Sequence, residues 1–337
     1  AKNEKDGELV EAEQVGPRKR WGLASARIIE VLGDPMAPRS ISLIAIHQHE
    51  IPDHFPDDVL FEAEQARAVE VGERTDLRNL PLFTIDPSDA RDHDDAICAK
   101  PDDDPNNIGG HIVWVAIADV AYYVQPGSSI DIEARKRGNS SYFPDRVVPM
   151  LPDALSGNLC SLHEGVDRAC MSVCIKLSAE GTKLDHQFHR GIMRSPASLS
   201  YEQAQGAFDG NYDNVTKPLA KALKDLLLAY KSASKARDKR QPLNLDLPER
   251  KIILSDDGEV LSVDLKNRFE AHKLVEEFMV MANVCAAETL EANQETLLYR
   301  VHEEPTLEKL NALREVVEDA GLKLAKGQVL KTHHLNK

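Results

Sequence analysis

Cysteine is scarce in this sequence, and its pattern excludes whole classes of protein. The 337 residues contain five cysteines, an odd number with no Cys-x-x-Cys pair: Cys98, Cys160, Cys170, Cys174 and Cys285. Disulfide-stapled secreted domains and zinc ribbons need closely spaced, paired cysteines, so neither is expected. The pattern is more typical of reduced, mostly buried thiols in a cytosolic protein.

Long apolar runs are also lacking. No run approaches the roughly 18 consecutive apolar residues that read as a membrane span. The first residues, AKNEKDGE, have no apolar core of a signal peptide. We therefore expect a cytoplasmic protein without a membrane span, long enough for one large domain and part of another.

A surplus of positive charge is missing as well. The chain has 41 Lys and Arg residues against 56 acids, for a formal net charge of −15. Nucleic-acid-binding domains usually carry a basic surplus, so this balance argues against generic binding of nucleic acid but still permits a narrow basic channel. Basic clusters occur at residues 18–20, 135–137 and 231–240. Such clusters more often form solvated faces than phosphate sites.

What the chain does have is a dense acidic stretch at residues 84–96, TIDPSDARDHDDA. Like charges this close repel one another, and Mg²⁺, Mn²⁺ or Ca²⁺ would relieve the repulsion because these ions prefer oxygen ligands. The apolar runs 82–85 and 96–99 predict short buried strands on either side, which would clamp the loop. The five acids are Asp86, Asp89, Asp92, Asp94 and Asp95.

Three other kinds of structure can carry an acidic stretch of this length. A solvated acidic loop remains open on acid density alone. An EF-hand does not fit, because Ala96 and Ile97 stand where a ligand and the obligatory glycine belong. A mononuclear His-Asp site would need further histidines at helical spacing, and the neighbourhood has none.

The pattern of apolar residues predicts an α+β protein with a mixed, largely antiparallel sheet and surrounding helices. Antiparallel pairs are predicted for residues 97–100 with 112–117 and, from alternation, for 171–177 with 184–192. A short helix is predicted from the cap Ser129 to residue 137, ended by Gly138, and another over 306–320 with Thr306 as its cap. Hairpins and helices follow one another without a βαβ repeat. The first residues show β-like runs at 8–12, 24–31 and 41–46, too few for a closed five-stranded barrel. A basic loop with Trp21 joins the first two runs, as in OB and cold-shock barrels, where aromatic rings stack on bases. Trp21 could equally be a structural residue.

Several motifs in order carry a resemblance to a known family. Residues 84–96 resemble the catalytic signature of the ribonuclease II/ribonuclease R family, the RNB domain of 3′→5′ exoribonucleases. The likeness continues through later segments and runs from about residue 22 to the end of the chain. These segments are VAIADV (115–120), RGNSSYFP (137–144), PMLP (149–152), LCSL (159–162), AHKLVEE (271–277) and RVHEEP (300–305).

The resemblance implies a fold, an activity and a set of site residues. The expected division is a partial cold-shock/OB-like β segment (1–50), a connecting helix and linker (51–74), and an RNB-like catalytic domain (75–337). The implied reaction is Mg²⁺-dependent hydrolysis of single-stranded RNA from the 3′ end to nucleoside 5′-monophosphates. Two metal ions are expected to act, with Mn²⁺ as a possible substitute for Mg²⁺. No protein partner is predicted.

The resemblance also assigns roles to individual residues. Asp86, Asp92, Asp94 and Asp95 match the family's four catalytic aspartates and are the predicted metal ligands. Asp94 would take a second metal or orient the attacking water, and Asp92 is the other predicted catalytic residue. Asp89 and His93 receive no role. The predicted RNA contacts are Tyr142, which matches a base-stacking aromatic, together with Arg137 and Trp21.

Two departures from the family pattern lower the activity expected of this chain. Residues 242–246, PLNLD, offer no second stacking aromatic, and no Ser-Pro-Ile-Arg-Arg-Tyr-type segment is present to hold the scissile phosphate. The chain resembles a piece that stops within the catalytic domain, before an S1 RNA-binding domain. We expect weak RNA binding and slow hydrolysis from it. The alternatives are a catalytically impaired RNA-binding or regulatory relative, and a nuclease that acts on DNA.

Overall fold

The computed structural model describes residues 5–16, 25–37, 39–243, 247–301 and 303–322, together with residues 324 and 336. Within these residues the chain is α+β, as predicted. No helix in the described part is both long enough and apolar enough to cross a membrane.

The strands are β1 (Leu9–Gln14), β2 (Ala26–Gly33), β3 (Thr75–Asp76), β4 (Thr84–Asp86), β5 (Asp95–Pro101), β6 (His111–Ala118), β7 (Ser141–Tyr142), β8 (Val147–Val148), β9 (Asp167–Leu177), β10 (Lys183–Arg194), β11 (Ser198–Ser200), β12 (Arg250–Leu254) and β13 (Val260–Leu265). The helices are α1 (Ser40–Gln48), α2 (Asp57–Gln65), α3 (Val120–Tyr123), α4 (Ser129–Arg137), α5 (Tyr201–Phe208), α6 (Ala220–Lys239), α7 (Glu270–Ala292) and α8 (Leu307–Asp319).

The central element is a five-stranded sheet in the order β3-β10-β9-β6-β5. Its pairs are antiparallel except for β10 with β3, which is parallel. Side chains alternate between the two faces of a strand, and both faces of this sheet are covered. Val113 and Val115 of β6 enter one core with α5, α6 and α7. Ala116 and the partly buried Trp114 enter a second core with α2 and α4.

The hairpins and the long helices follow the local sequence patterns. The β5–β6 and β9–β10 pairs are those predicted from alternation. Helix α4 ends at Gly138 as predicted, but its cap is Ser128, whose side chain accepts the N–H of Asp131, and not the predicted Ser129, which is the first helical residue. Helix α8 begins after Thr306, the predicted cap, whose hydroxyl accepts the N–H of Lys309.

The predicted strand at residues 41–46 is wrong, because this segment lies in helix α1. Ser40 and Ser42 are buried there and donate to the Asp34 carbonyl oxygen and the Asp145 carboxylate. Ile46 is buried on the same helix. These tertiary contacts, one of them to a residue more than a hundred positions away, outweigh the strand preference of the isoleucines. Strands β1 and β2, by contrast, form the expected antiparallel pair.

A close approach between the central sheet and α6 gives a test of the fold. Gly181, in the β9–β10 turn, has a φ of +78°, and a Cβ at this position would lie 1.9 Å from the Ser232 carbonyl oxygen. We expect Gly181→Ala to lower the free energy of unfolding by about 2–4 kcal/mol, because a clash with helix backbone adds to left-handed strain. Urea denaturation measures the loss.

Gly127 is the matched control for this substitution. It also has a positive φ, +83°, but open space surrounds the position of its missing Cβ. Gly127→Ala should therefore cost only about 1 kcal/mol. Equal losses for the two variants would contradict the described packing of the turn against α6.

Candidate active site

The acidic loop of residues 87–94 is held at both of its ends. Strand β4 pairs in parallel with β11, where Asp86 lies opposite Ser200. Phe83 and Ile97 exchange backbone hydrogen bonds that join β4 to β5. Asp95 opens β5, and the carbonyl oxygen of Asp94 accepts the Ala118 N–H at 2.9 Å. The flanking apolar runs therefore form the clamp that the sequence predicts.

Burial, with mutual repulsion added, makes ionisation of the site carboxyls unfavourable. Burial raises the pKa of Asp95 to about 7, and the charges of Asp86 and Asp94 contribute. Partial desolvation raises the pKa of Asp94, with further contributions from Asp92 and Asp86, although its side chain still reaches solvent. The four carboxylates are thus close enough to influence one another. Positive charge from His93 opposes these shifts but does not cancel them.

The carboxylates do not form a closed ion site by themselves. Among the residues that the structure describes, no three or more Asp, Glu, His or Cys side chains are arranged so that they could hold a metal ion. Asp86 directs Oδ2 to His93 Nδ1, 2.7 Å away. The donor set is nevertheless that of a hard divalent cation, because it consists of carboxylate oxygens. Burial and neighbouring negative charge raise the pKa values of two of them, Asp94 and Asp95, and a bound cation would favour their ionised forms.

Tyr142 lies beside this carboxylate set. Its hydroxyl is 3.4 Å from Asp92 Oδ2, a long hydrogen bond, while the residue is 68% exposed. Burial of part of the ring and the charges of Asp92 and Asp94 raise the pKa of the phenol. The structure thus brings together two predicted site residues that are fifty positions apart in the sequence, and it leaves the ring accessible.

The structure gives Arg137 a different environment from the predicted contact with RNA. Its side chain is 2% exposed, and Nε donates to Glu133 Oε1 at 2.9 Å. Its other nitrogens donate to the carbonyl oxygens of Pro149 and His54, and its guanidinium lies 3.6 Å from the centre of the Phe55 ring. With each guanidinium nitrogen donating within the protein and its side chain buried, Arg137 joins α4 to the connecting segment.

Two further residues of the acidic loop have partners that sequence reasoning missed. Asp89 forms an ion pair with Lys251 of β12 at 3.0 Å, which lowers the pKa of its carboxyl. His93 contacts Asp86, as described above. Neither partner has a sequence signal, because each contact depends on the fold. Trp21, the remaining predicted RNA contact, lies outside the described residues.

Tyr201 is a third residue without a predicted role. It is the first residue of α5, whose start is fixed by a capping box between Ser200 and Gln203. Its ring stacks in parallel on His272 at 3.7 Å. Burial and the nearby charges of Asp95 and Asp86 raise the pKa of its phenol to about 12. The capping box predicts a helix start, but only the β4–β11 pairing brings this tyrosine to the carboxylates.

The raised pKa of Asp95 makes a stability prediction. Its pKa rises from 3.8 to about 7 on folding, so the folded chain holds the proton more tightly than the unfolded chain. Stability should therefore fall as the pH rises between these two values and then level off. In EDTA at about pH 8, Asp95→Asn should raise the free energy of unfolding by on the order of 1–3 kcal/mol, with little effect near pH 4. Urea denaturation at both pH values measures this, and no gain at the higher pH would contradict it.

The environment of Arg137 makes a second prediction. Arg137→Lys should lower the free energy of unfolding by about 2–4 kcal/mol, because lysine cannot make the forked contacts and leaves buried acceptors unpaired. RNA affinity, measured by fluorescence anisotropy at a temperature where both proteins are folded, should not change. A stable variant with weakened RNA binding would instead support the predicted contact between Arg137 and RNA.

Matches to known proteins agree with this architecture. A model of the RNB domain matches residues 74–336, and a model of the cold shock domain CSD2 matches residues 1–56. Ribonuclease R of Vibrio parahaemolyticus is 39% identical over 331 residues, which cover 95% of this chain and 38% of the relative. Ribonuclease R of Escherichia coli is 40% identical over 312 residues, which cover 90% of the chain and 38% of the relative. The chain thus spans well under half the length of these relatives.

Solved structures share the fold. Mycoplasma genitalium RNase R in complex with ribose methylated single-stranded RNA has a TM-score of 0.85 at 27% identity, covering 93% of this chain and 49% of that one. Yeast Ssd1, described as a pseudonuclease, has a TM-score of 0.66 at 17% identity, covering 96% and 40%, a likeness of fold alone. The RNB match covers most of the chain and coincides with the central sheet and the acidic loop. The chain therefore belongs to the RNB domain family.

Proposed function

We propose that this chain carries the catalytic centre of a 3′→5′ exoribonuclease that hydrolyses single-stranded RNA to nucleoside 5′-monophosphates in the presence of Mg²⁺. The observation that carries the proposal is the coupled set of Asp86, Asp92, Asp94 and Asp95, with the accessible Tyr142 ring beside it. The set lies on a loop clamped between strands, so its geometry depends on the scaffold rather than on a mobile surface segment.

The four aspartates are the residues that would hold the metal. Asp86, Asp92 and Asp95 are proposed as direct ligands, and Asp94 as a ligand of a second ion or as the group that orients the attacking water. Bound Mg²⁺ would supply Lewis-acid stabilisation of charge on the phosphate oxygens and help to activate the water. Oxygen-only ligands suit Mg²⁺ or Mn²⁺, and nothing in the donor set separates the two.

Other side chains would position the RNA. The exposed ring of Tyr142 offers a stacking surface for a base near the 3′ end, a contact typically worth about 1–3 kcal/mol per base. Tyr201 keeps its phenolic proton at neutral pH, since its pKa is about 12. It can therefore donate a hydrogen bond to a sugar or phosphate oxygen beside Asp95. Arg137 is assigned a structural role in this proposal.

The substrate class is supported by the matches. The relatives are named Ribonuclease R, and the Mycoplasma genitalium enzyme has been solved with single-stranded RNA and with double-stranded RNA. The chain spans about 38% of the curated relatives' length. We therefore propose activity on RNA for the protein to which this sequence belongs. The charge balance of −15 favours weak, salt-sensitive RNA binding by residues 1–337.

The proposal also includes the domain organisation and the cellular compartment. We divide the chain into a cold-shock-like β segment (1–50), a connecting helix and linker (51–74) and the catalytic domain (75–337). The described cysteines are free, and most of them are buried. This supports a reducing, cytoplasmic location.

A catalytically impaired RNA-binding relative is the second candidate. Yeast Ssd1, a pseudonuclease, has the same fold, so the fold alone does not decide activity. The presence of all four aspartates favours the enzyme, because a protein that only binds RNA gains nothing from repelling carboxylates beside a phosphate backbone.

The test compares two aspartates of one loop. Asp94→Asn should lower the rate on 3′-accessible, end-labelled single-stranded RNA by about 10²–10³-fold, the usual cost of losing one group that stabilises the transition state. RNA affinity should change little. Asp89→Asn is the control, since Asp89 pairs with Lys251 at an exposed site and should retain nearly the wild-type rate.

The same assay separates the candidates. Shortening of RNA in Mg²⁺ but not in EDTA, with no shortening of DNA, supports the exoribonuclease. RNA binding without hydrolysis under all conditions supports the impaired relative, and shortening of DNA alone would overturn the substrate class. Equal rates for the Asp94→Asn and Asp89→Asn variants would overturn the role of Asp94.

A further inference from the structure

His93 lies between two of the proposed metal ligands in sequence and contacts a third in space. Its Nδ1 is 2.7 Å from Asp86 Oδ2, and both side chains are 14% exposed. Because a carboxylate oxygen can only accept here, Nδ1 is the donor in this bond. Thr84 Oγ1 lies 3.4 Å from the same nitrogen.

Hydrogen bonds of the His93 backbone and a neighbouring ring hold the imidazole in place. The His93 N–H donates to Ser161 Oγ at 2.9 Å, and its carbonyl oxygen accepts the Leu162 N–H at 2.8 Å. Ser161 and Leu162 are almost completely buried. His163 packs edge-on against the His93 ring, with 5.8 Å between the ring centres. The position of Nδ1 is therefore determined by the scaffold.

Asp86 is equally constrained on its side of the contact. It ends β4, opposite Ser200 of β11, so its backbone cannot turn away. The hydrogen bond with His93 involves Oδ2, and a carboxylate has lone pairs on both oxygens. Asp86 can therefore keep this bond while its other oxygen contacts a cation. Residues that do not contact a metal themselves orient its ligands by hydrogen bonds of this kind.

We propose that His93 is a positioning residue that orients the Asp86 carboxylate toward a divalent cation. The inference rests on the proposed function, since it assumes that Asp86 is a ligand. A histidine that held Asp86 away from the cation would instead compete with it. The two effects predict opposite signs when the hydrogen bond is removed.

The experiment measures metal affinity rather than catalysis. Isothermal titration of the 337-residue chain, freed of metal with EDTA and then dialysed, is performed with MgCl₂ and separately with MnCl₂. His93→Phe keeps a ring of similar size without a donor, and we expect it to weaken binding by about 10–100-fold, as for other residues that support ligands. His93→Asn places an amide donor near the position of Nδ1 and should restore most of the affinity.

His163→Phe is the matched control. His163 contacts the ring of His93, and its Nε2 pairs with the Gly157 carbonyl oxygen at 2.9 Å. Phenylalanine keeps a ring against His93 and removes only the hydrogen bond to Gly157, so metal affinity should not change. Thermal unfolding in EDTA confirms that each variant is folded before titration.

Each outcome has a distinct meaning. Unchanged affinity in the His93→Phe variant overturns the positioning role, and tighter binding shows competition instead. Equal weakening in the Phe and Asn variants also overturns it, because the donor would then be irrelevant. A wild-type chain that binds neither ion contradicts both this inference and the proposed metal site. Weakened binding in the Phe variant of a chain that does not hydrolyse RNA would uphold the inference and overturn only the proposed activity.

Discussion

Burial of mutually repelling carboxylates that the fold holds close together is the constraint on which the rest of the structure depends. Asp95 cannot move away from Asp86 and Asp94, because it opens β5 in the middle of paired backbone. Mutual repulsion and loss of hydration both favour the protonated acid. A folded domain can hold such a cluster only if other interactions offset its cost, and at neutral pH a bound cation is the simplest source of the missing charge.

The interactions that offset the cost of the buried carboxylates come from the central sheet and from the helices packed on its two faces. Apolar side chains of β5, β6 and β9 pack on both faces, against α5, α6 and α7 on one side and α2 and α4 on the other. Burial of apolar area at about 25 cal/mol per Å² makes such a core the main source of stability. Buried ion pairs such as Arg137 with Glu133 add geometric specificity. The same scaffold fixes Ser161 and Leu162, which in turn fix His93 beside Asp86.

The parts of the structure that could be predicted from the sequence are those with local causes. Alternation predicted the β9–β10 hairpin, Gly138 the end of α4 and Thr306 the start of α8, whereas the cap of α4 is one residue earlier than predicted. The motif at residues 84–96 predicted the acidic loop, because its acids are neighbours in sequence. Long-range contacts could not be predicted in this way. The serines of α1 are buried by tertiary contacts, the β4–β11 pairing brings Tyr201 near Asp95, and the buried partners of Arg137 come from three separate segments.

The central claim is that Asp86, Asp92, Asp94 and Asp95 form a divalent-cation site on this scaffold. Anomalous diffraction from crystals of the chain grown with MnCl₂ tests it most directly, because manganese can be located without reference to activity. The account predicts a peak bordered by carboxylate oxygens of these aspartates, with His93 Nδ1 still bonded to Asp86. Ordered aspartates with no manganese among them, or manganese bound only elsewhere, would contradict it.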